Sequence, residues 1–211
     1  MTRGTDVEQL QGELVDACSW GEEDRAREVV SRFGVEPRAR VLLDPKDWGA
    51  LEGLLVLLEK TPDELHAWAR DPAVSVERKA RVVTVLDAEL PVPLAATLPS
   101  FISAASSMVE EAVSQEGEAS RYCDRLFSLL LLYKEQVLPS LPEEARTELR
   151  TLARRLVAAA DPSCSLGAAV ILQHVGRPED SAFLDAHRPA EPVLAKVFDD
   201  ASRALRGIPR G

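Results

Sequence analysis

TPDELHAWARDPAVSVERKARVVTVL, residues 61–86, is the stretch on which the fold class turns. Thr61 can cap a helix, Pro62 fits a first turn that needs no N–H, and Glu64 completes a capping box. Leu65 and Trp68 then recur at helical spacing. Val76, Ala80, Val83 and Leu86 continue with a period near 3.6 rather than 2. The same rhythm runs outward in both directions. Upstream, Val7, Leu10, Leu14 and Cys18 form a stripe behind a Thr5–Glu8 capping box, and Ala26, Val29, Val30 and Phe33 form another that stops at Gly34. WGALEGLLVLL (48–58) is apolar nearly all round, which predicts a helix sandwiched between neighbours. Downstream, helical patterns cover 101–113 and 122–138. Ser140-Leu141-Pro142-Glu143 reads as a capping box for a helix through Ala145, Leu149, Leu152, Leu156 and Ala160. Shorter helices are predicted at 166–175, 179–186 and 192–205, and 207–211 reads as a frayed tail. No stretch alternates as a strand does. The chain is therefore expected to be all-α, a single helical domain over 1–211, with Pro91, Pro93 and Pro99 marking a bend at 91–99.

Composition narrows the possible functions. Hydrophobic residues make up 45% and charged residues 28% of the 211, values typical of a soluble globular protein and not of a disordered one. Lys and Arg total 25 against 35 Asp and Glu, for a net charge of −10. Such a surface repels phosphate backbones, so nucleic acid is not the expected partner. The acidic excess falls within residues 1–140, while 141–211 balances. Cys18, Cys123 and Cys164 are too few and too scattered for a disulfide framework or a Cys-rich zinc site. The first ten residues carry Arg3, Asp6 and Glu8 with no apolar run, so no signal peptide is expected. LFSLLLLY (126–133) is far short of the ~20 residues that span a bilayer. It is expected in the core of a cytoplasmic protein.

Asp-Pro pairs at 44–45, 71–72 and 161–162 read as helix starts, Asp capping and Pro in the first turn. The segment 71–86 resembles the second helix of a short HEAT repeat of the phycobilisome-lyase type. LGAAVILQHVGRPEDSAFL (166–184) resembles a first helix, a Gly-x-Pro-Glu turn and the next helix of such a repeat. The resemblance implies antiparallel helix pairs stacked as a short, irregular α-solenoid. The departures are Glu77, where such repeats carry Arg, and the absence of any repeat signature over 91–140; an irregular helical bundle is the alternative.

Catalytic chemistry finds no support in the motifs. Gly-x-Ser-x-Gly, Walker and dinucleotide patterns are absent. His66, His174 and His187 fall on separate elements, without metal-ligand spacing, so neither a metal nor another cofactor is expected. Cys164 follows Asp161-Pro162 at a helix start, where a thiol pKa is lowered by the local potential, although a buried filler is the commoner role for such a residue. Two features point to binding. Arg146, Arg150 and Arg154 recur every four residues on one helical face. They read either as a solvated stripe relieved by Glu143 and Thr147 or as a dock for an acidic partner. Trp20 precedes Gly21 in an interhelical turn, where it either plugs the core or stands out as an anchor. The expected function is a non-enzymatic protein–protein interaction module: an adaptor, an assembly subunit or an immunity-type inhibitor. The alternative implied by the resemblance is a HEAT-like DNA glycosylase or other nucleic-acid enzyme, whose basic groove is at odds with this acidic chain.

Overall fold

The computed structural model describes residues 3–32, 53, 56, 60–88, 97–114, 117–159 and 162–207. Among them every regular element is helical. The chain divides into two compact units, Met1–Leu98 and Pro99–Gly211. The readings placed on Phe33, Gly34, Asp44-Pro45, Trp48, Pro91, Pro93 and Asp161 lie outside the described residues, as does the side chain of Cys18.

In the first unit, α1 (Arg3–Trp20) and α2 (Glu23–Arg32) pack as a hairpin. Leu14 and Ala17 are fully buried from one helix, Ala26 and Val29 nearly so from the other. Thr5 lies inside α1 and not at its cap, because the helical backbone already begins at Arg3. The capping box of α3 (Pro62–Arg70) is as expected: the Thr61 N–H donates to Glu64 Oε2 at 2.8 Å, and the Glu64 N–H donates to Thr61 Oγ1 at 3.3 Å. Asp71-Pro72 does not open a helix. Asp71 is the C-cap of α3, and its Oδ1 accepts the Ala73 N–H at 2.8 Å in an Asx turn. α4 (Val76–Ala88) starts only after Ser75, whose Oγ accepts the Arg78 N–H. Asp-Pro here stops one helix because its carboxylate is committed to the turn before a new helix can form. Gly53 is a contact point: a Cβ there would lie 2.7 Å from the Arg81 carbonyl oxygen, so only glycine lets the two backbones approach.

The second unit contains α5 (Leu98–Ser107), α6 (Val109–Ser114), α7 (Glu118–Leu132), α8 (Lys134–Val137), a 3-10 turn at Leu138–Ser140, α9 (Glu143–Val157), α10 (Pro162–Val175), α11 (Asp180–Ala186) and α12 (Pro192–Leu205). The predicted helix at 101–113 is two helices that break at Met108, and the one at 122–138 breaks at Tyr133. Ser140 does not cap α9. Its hydroxyl donates to the Val137 carbonyl at 2.8 Å, and the N-cap position is Pro142, which offers no side-chain acceptor. α10 is the centre of this unit and packs on α7, α9 and α12. Ala168, Ala169, Ile171 and Leu172 are fully buried. At Gly167 a Cβ would touch the Phe127 ring at 3.3 Å, a measure of how closely α7 and α10 approach. From the apolar run 126–133, Leu126, Phe127, Leu129 and Leu130 are fully buried, while Leu132 is 64% exposed because its position in α7 faces away from the core. Burying each such side chain contributes about 2 kcal/mol. Tyr122 is buried too, with its hydroxyl donating to the Phe101 carbonyl at 3.0 Å.

Candidate functional site

Trp20 ends α1, and Gly21 turns the chain at φ +69°, a left-handed conformation that glycine adopts without cost. The Glu22 N–H closes the turn on the Ala17 carbonyl at 2.9 Å, and α2 departs from Glu23. With Leu14, Ala17, Ala26 and Val29 filling the hairpin interior, the indole has no place inside, and Trp20 is 79% exposed. Exposed carboxylates flank it along the chain. Asp16 is one turn back along α1, Glu22 is in the turn, and Asp24 is at the start of α2. Arg25 is drawn to this cluster: its hydrogen bond from Nη1 to Glu22 (2.9 Å) raises its pKa, with Asp16 and Glu13 adding to the attraction. Arg32 pairs with Glu13 at 2.7 Å. The hairpin tip is therefore an aromatic surface set in negative charge.

The arginine stripe has a different setting from a solvated face. Arg150 is only 18% exposed and its guanidinium grips Asp180, Nε to Oδ2 at 2.6 Å and Nη2 to Oδ1 at 2.9 Å. Arg154 Nη1 donates to the same Oδ1, and the Arg177 N–H donates to Oδ2 at 2.8 Å. Arg150 also reaches Glu179 at 3.0 Å. Arg146 turns the other way and donates to the carbonyl of Leu138, the C-cap of α8, at 2.8 Å, where a cation suits the negative end of the helix. Glu143 and Thr147 are not the partners of the stripe: the counter-charge arrives from α11, about thirty residues downstream, because α9 and α11 converge there.

Asp180 is wholly buried. Burial pushes its carboxyl up, but the hydrogen bonds from Arg150, the Arg177 N–H and Arg154 outweigh that and hold it below the ordinary carboxylate value. Gly176 makes room for this centre, since a Cβ there would lie 3.1 Å from Asp180 Oδ2 and overlap the Leu172 carbonyl. Arg154 also lies flat on an aromatic surface, its Cζ 4.1 Å from the centre of the Phe183 ring.

The remaining sequence candidates separate. Cys164 is fully buried, in contact with the Ser120 hydroxyl (3.1 Å) and donating to the Ser120 carbonyl (3.3 Å). Cys123 is buried as well, and burial pushes its thiol far up, with Cys164 and Asp124 adding to the shift. A thiol so protonated is a poor nucleophile. His174 and His187 are exposed and His66 half-buried. Among the described residues no group of His, Cys, Asp and Glu is arranged to hold a metal, and no helix is long and apolar enough to cross a membrane. No protein-family model, curated protein or solved structure matches this chain.

Proposed function

We propose that the protein is a non-enzymatic interaction module that captures a basic protein partner through the tip of the α1–α2 hairpin. The observation that carries this reading is Trp20, a large aromatic side chain left 79% exposed, with exposed Asp16, Glu22 and Asp24 close to it in the chain. An exposed indole is the residue type most enriched at binding hot spots, and the surrounding carboxylates favour a Lys- or Arg-bearing partner, which also stacks on indole. The net charge of −10 extends the attraction and accelerates encounter. Adaptor, assembly subunit and immunity-type inhibitor all fit a module of this kind in the cytoplasm. The helix pairs arranged as a short irregular solenoid of the HEAT-like type are part of the same proposal, as an array that presents the hairpin tip. Arg146, Arg150 and Arg154 are the second candidate surface. Their exposed edges remain available to an acidic group, but their guanidinium groups already have partners within the chain.

The test is quantitative affinity capture from a lysate of the source cells, with wild-type, Trp20→Ala and Arg154→Ala proteins and a nuclease-treated control. One stoichiometric basic protein, retained after nuclease and lost only with Trp20→Ala, is the expected result. Loss with Arg154→Ala alone would move the interface to the arginine face. Loss on nuclease treatment would restore the nucleic-acid reading.

A further inference from the structure

His187 follows α11 as its C-cap residue. Its Nδ1 lies 2.9 Å from the Phe183 carbonyl oxygen. A carbonyl can only accept, so in the neutral ring Nδ1 carries the proton and Nε2 keeps the lone pair. The ring also packs on Phe183, centres 4.2 Å apart and tilted by 37°. This fixes its orientation through the same phenyl group on which Arg154 lies. No described group engages Nε2. His187 borders a cavity of about 230 Å³ in the second unit, walled by Val157, Pro189, Leu194 and Phe198, with Ser165 at one side.

Size, lining and charge restrict what fits there. A closed cavity of about 150 Å³ accommodates benzene; this pocket is half open to solvent, and its volume suits one ring whose polar substituent stays near water. The lining is divided nearly evenly between polar and apolar surface, and the exposed acceptor of His187 favours a donor. Among the described residues two neighbouring ion pairs are matched: Arg188 holds Asp199 through two hydrogen bonds of 2.7 and 2.9 Å, and Arg206 holds Asp185. Those pairs offer an anion no net attraction on entering. We propose that this cavity is a ligand site for a small neutral phenol, its ring against Phe198, Leu194 and Val157 and its hydroxyl donating to His187 Nε2. The site lies on the second unit and is independent of the Trp20 surface, so either assignment can fail without the other.

The experiment is an NMR titration of the full chain, ¹³C-methyl and ¹⁵N-histidine labelled, with 4-methylphenol, p-xylene and 4-methylbenzoate in parallel. Expected are saturable shifts of the Val157 and Leu194 methyls and of His187 Nε2 with 4-methylphenol. Binding should weaken about five- to tenfold for p-xylene, which lacks the donor, and equally for His187→Phe, which keeps the ring but loses the acceptor. Leu194→Trp should fill the cavity and abolish the shifts. If that variant loses its dispersed spectrum, His187→Phe, at an exposed position, carries the test alone. Absence of saturable methyl shifts in the wild type would overturn the site. Equal affinity for p-xylene, or an undiminished affinity in His187→Phe, would overturn the phenol assignment, as would tighter binding of 4-methylbenzoate.

Discussion

Removing the Asp180 carboxylate is the perturbation with the largest consequence that can be worked from the structure. Asp180→Ala leaves Arg150, 18% exposed, without the acceptor of its two short hydrogen bonds, and leaves the Arg177 N–H without one as well. Breaking a buried ion pair from one side costs about 3–5 kcal/mol, because the surviving charge keeps its desolvation penalty. Two observations favour the lower end. Arg154 is 37% exposed, so water screens its loss, and Glu179 still pairs with Arg150 at 3.0 Å. The expected loss at pH 7 is therefore about 3 kcal/mol, or a fall of about 10 °C in melting temperature for a unit of this size. Its pH dependence has a definite sign. The folded-state pKa of Asp180 is lowered from 3.8, so its contribution is fully present above that value. It disappears as pH falls from there through the folded value. Urea unfolding followed by circular dichroism at 222 nm, from pH 7 down to pH 2, measures both effects. Wild type and variant should differ most at neutral pH and converge in acid. Adding Arg150→Met should recover about half of the loss, because the stranded charge is then gone. A difference below about 1 kcal/mol at pH 7, or one that persists unchanged into acid, would refute the reasoning.

Three further predictions concern other parts of the chain. Lys79 is 3% exposed with its ammonium on the Asp71 carbonyl at 3.0 Å, and burial lowers its pKa. Lys79→Met should therefore stabilise the protein by about 1 kcal/mol in urea unfolding, since the Asp71 carbonyl retains the Val74 N–H; destabilisation would show that the ammonium is structurally required. Thr61→Ala removes the side-chain half of the α3 capping box and should cost about 1 kcal/mol by the same assay, an unchanged midpoint being the contrary result. Reversing the charge of Arg150 to Glu should collapse the helical signal of the second unit, because it sets two carboxylates against each other in a buried centre; a variant with native circular dichroism would restore the solvated-stripe reading.

The helical class was legible because apolar spacing is a local property. Ala145, Leu149, Leu152 and Leu156 are spaced as α9 requires, and all four are buried. Helix starts were less legible. Ser140 and Asp71 have the right side chains for N-caps, but each satisfies a nearer backbone group, and sequence spacing does not rank these competing bonds. The arginine stripe was visible while its counter-ion was not. Asp180 belongs to a different helix, and only the Gly176 turn brings it under α9. One signal was available, an acidic residue at the first position of a short helix directly after a Gly-x-Pro turn. The place before Gly21 marks Trp20 as a candidate. Its exposure depends on how fully Leu14, Ala17, Ala26 and Val29 already occupy the hairpin interior, which is a matter of packing volume rather than pattern.

The division at Leu98 separates more than two sets of helices. Trp20, Trp48 and Trp68, the three tryptophans of the chain, all precede it, and the two tyrosines, Tyr122 and Tyr133, both follow it. Each unit thus carries its own chromophore. Light absorbed only by indole reports on the first unit, and tyrosine absorbance reports on the second with its solvent-shielded Tyr122 ring as the sensitive group. A single unlabelled sample can therefore show, in one denaturation, whether the halves of the molecule melt together or in turn. A lesion at Asp180 should move the tyrosine transition first.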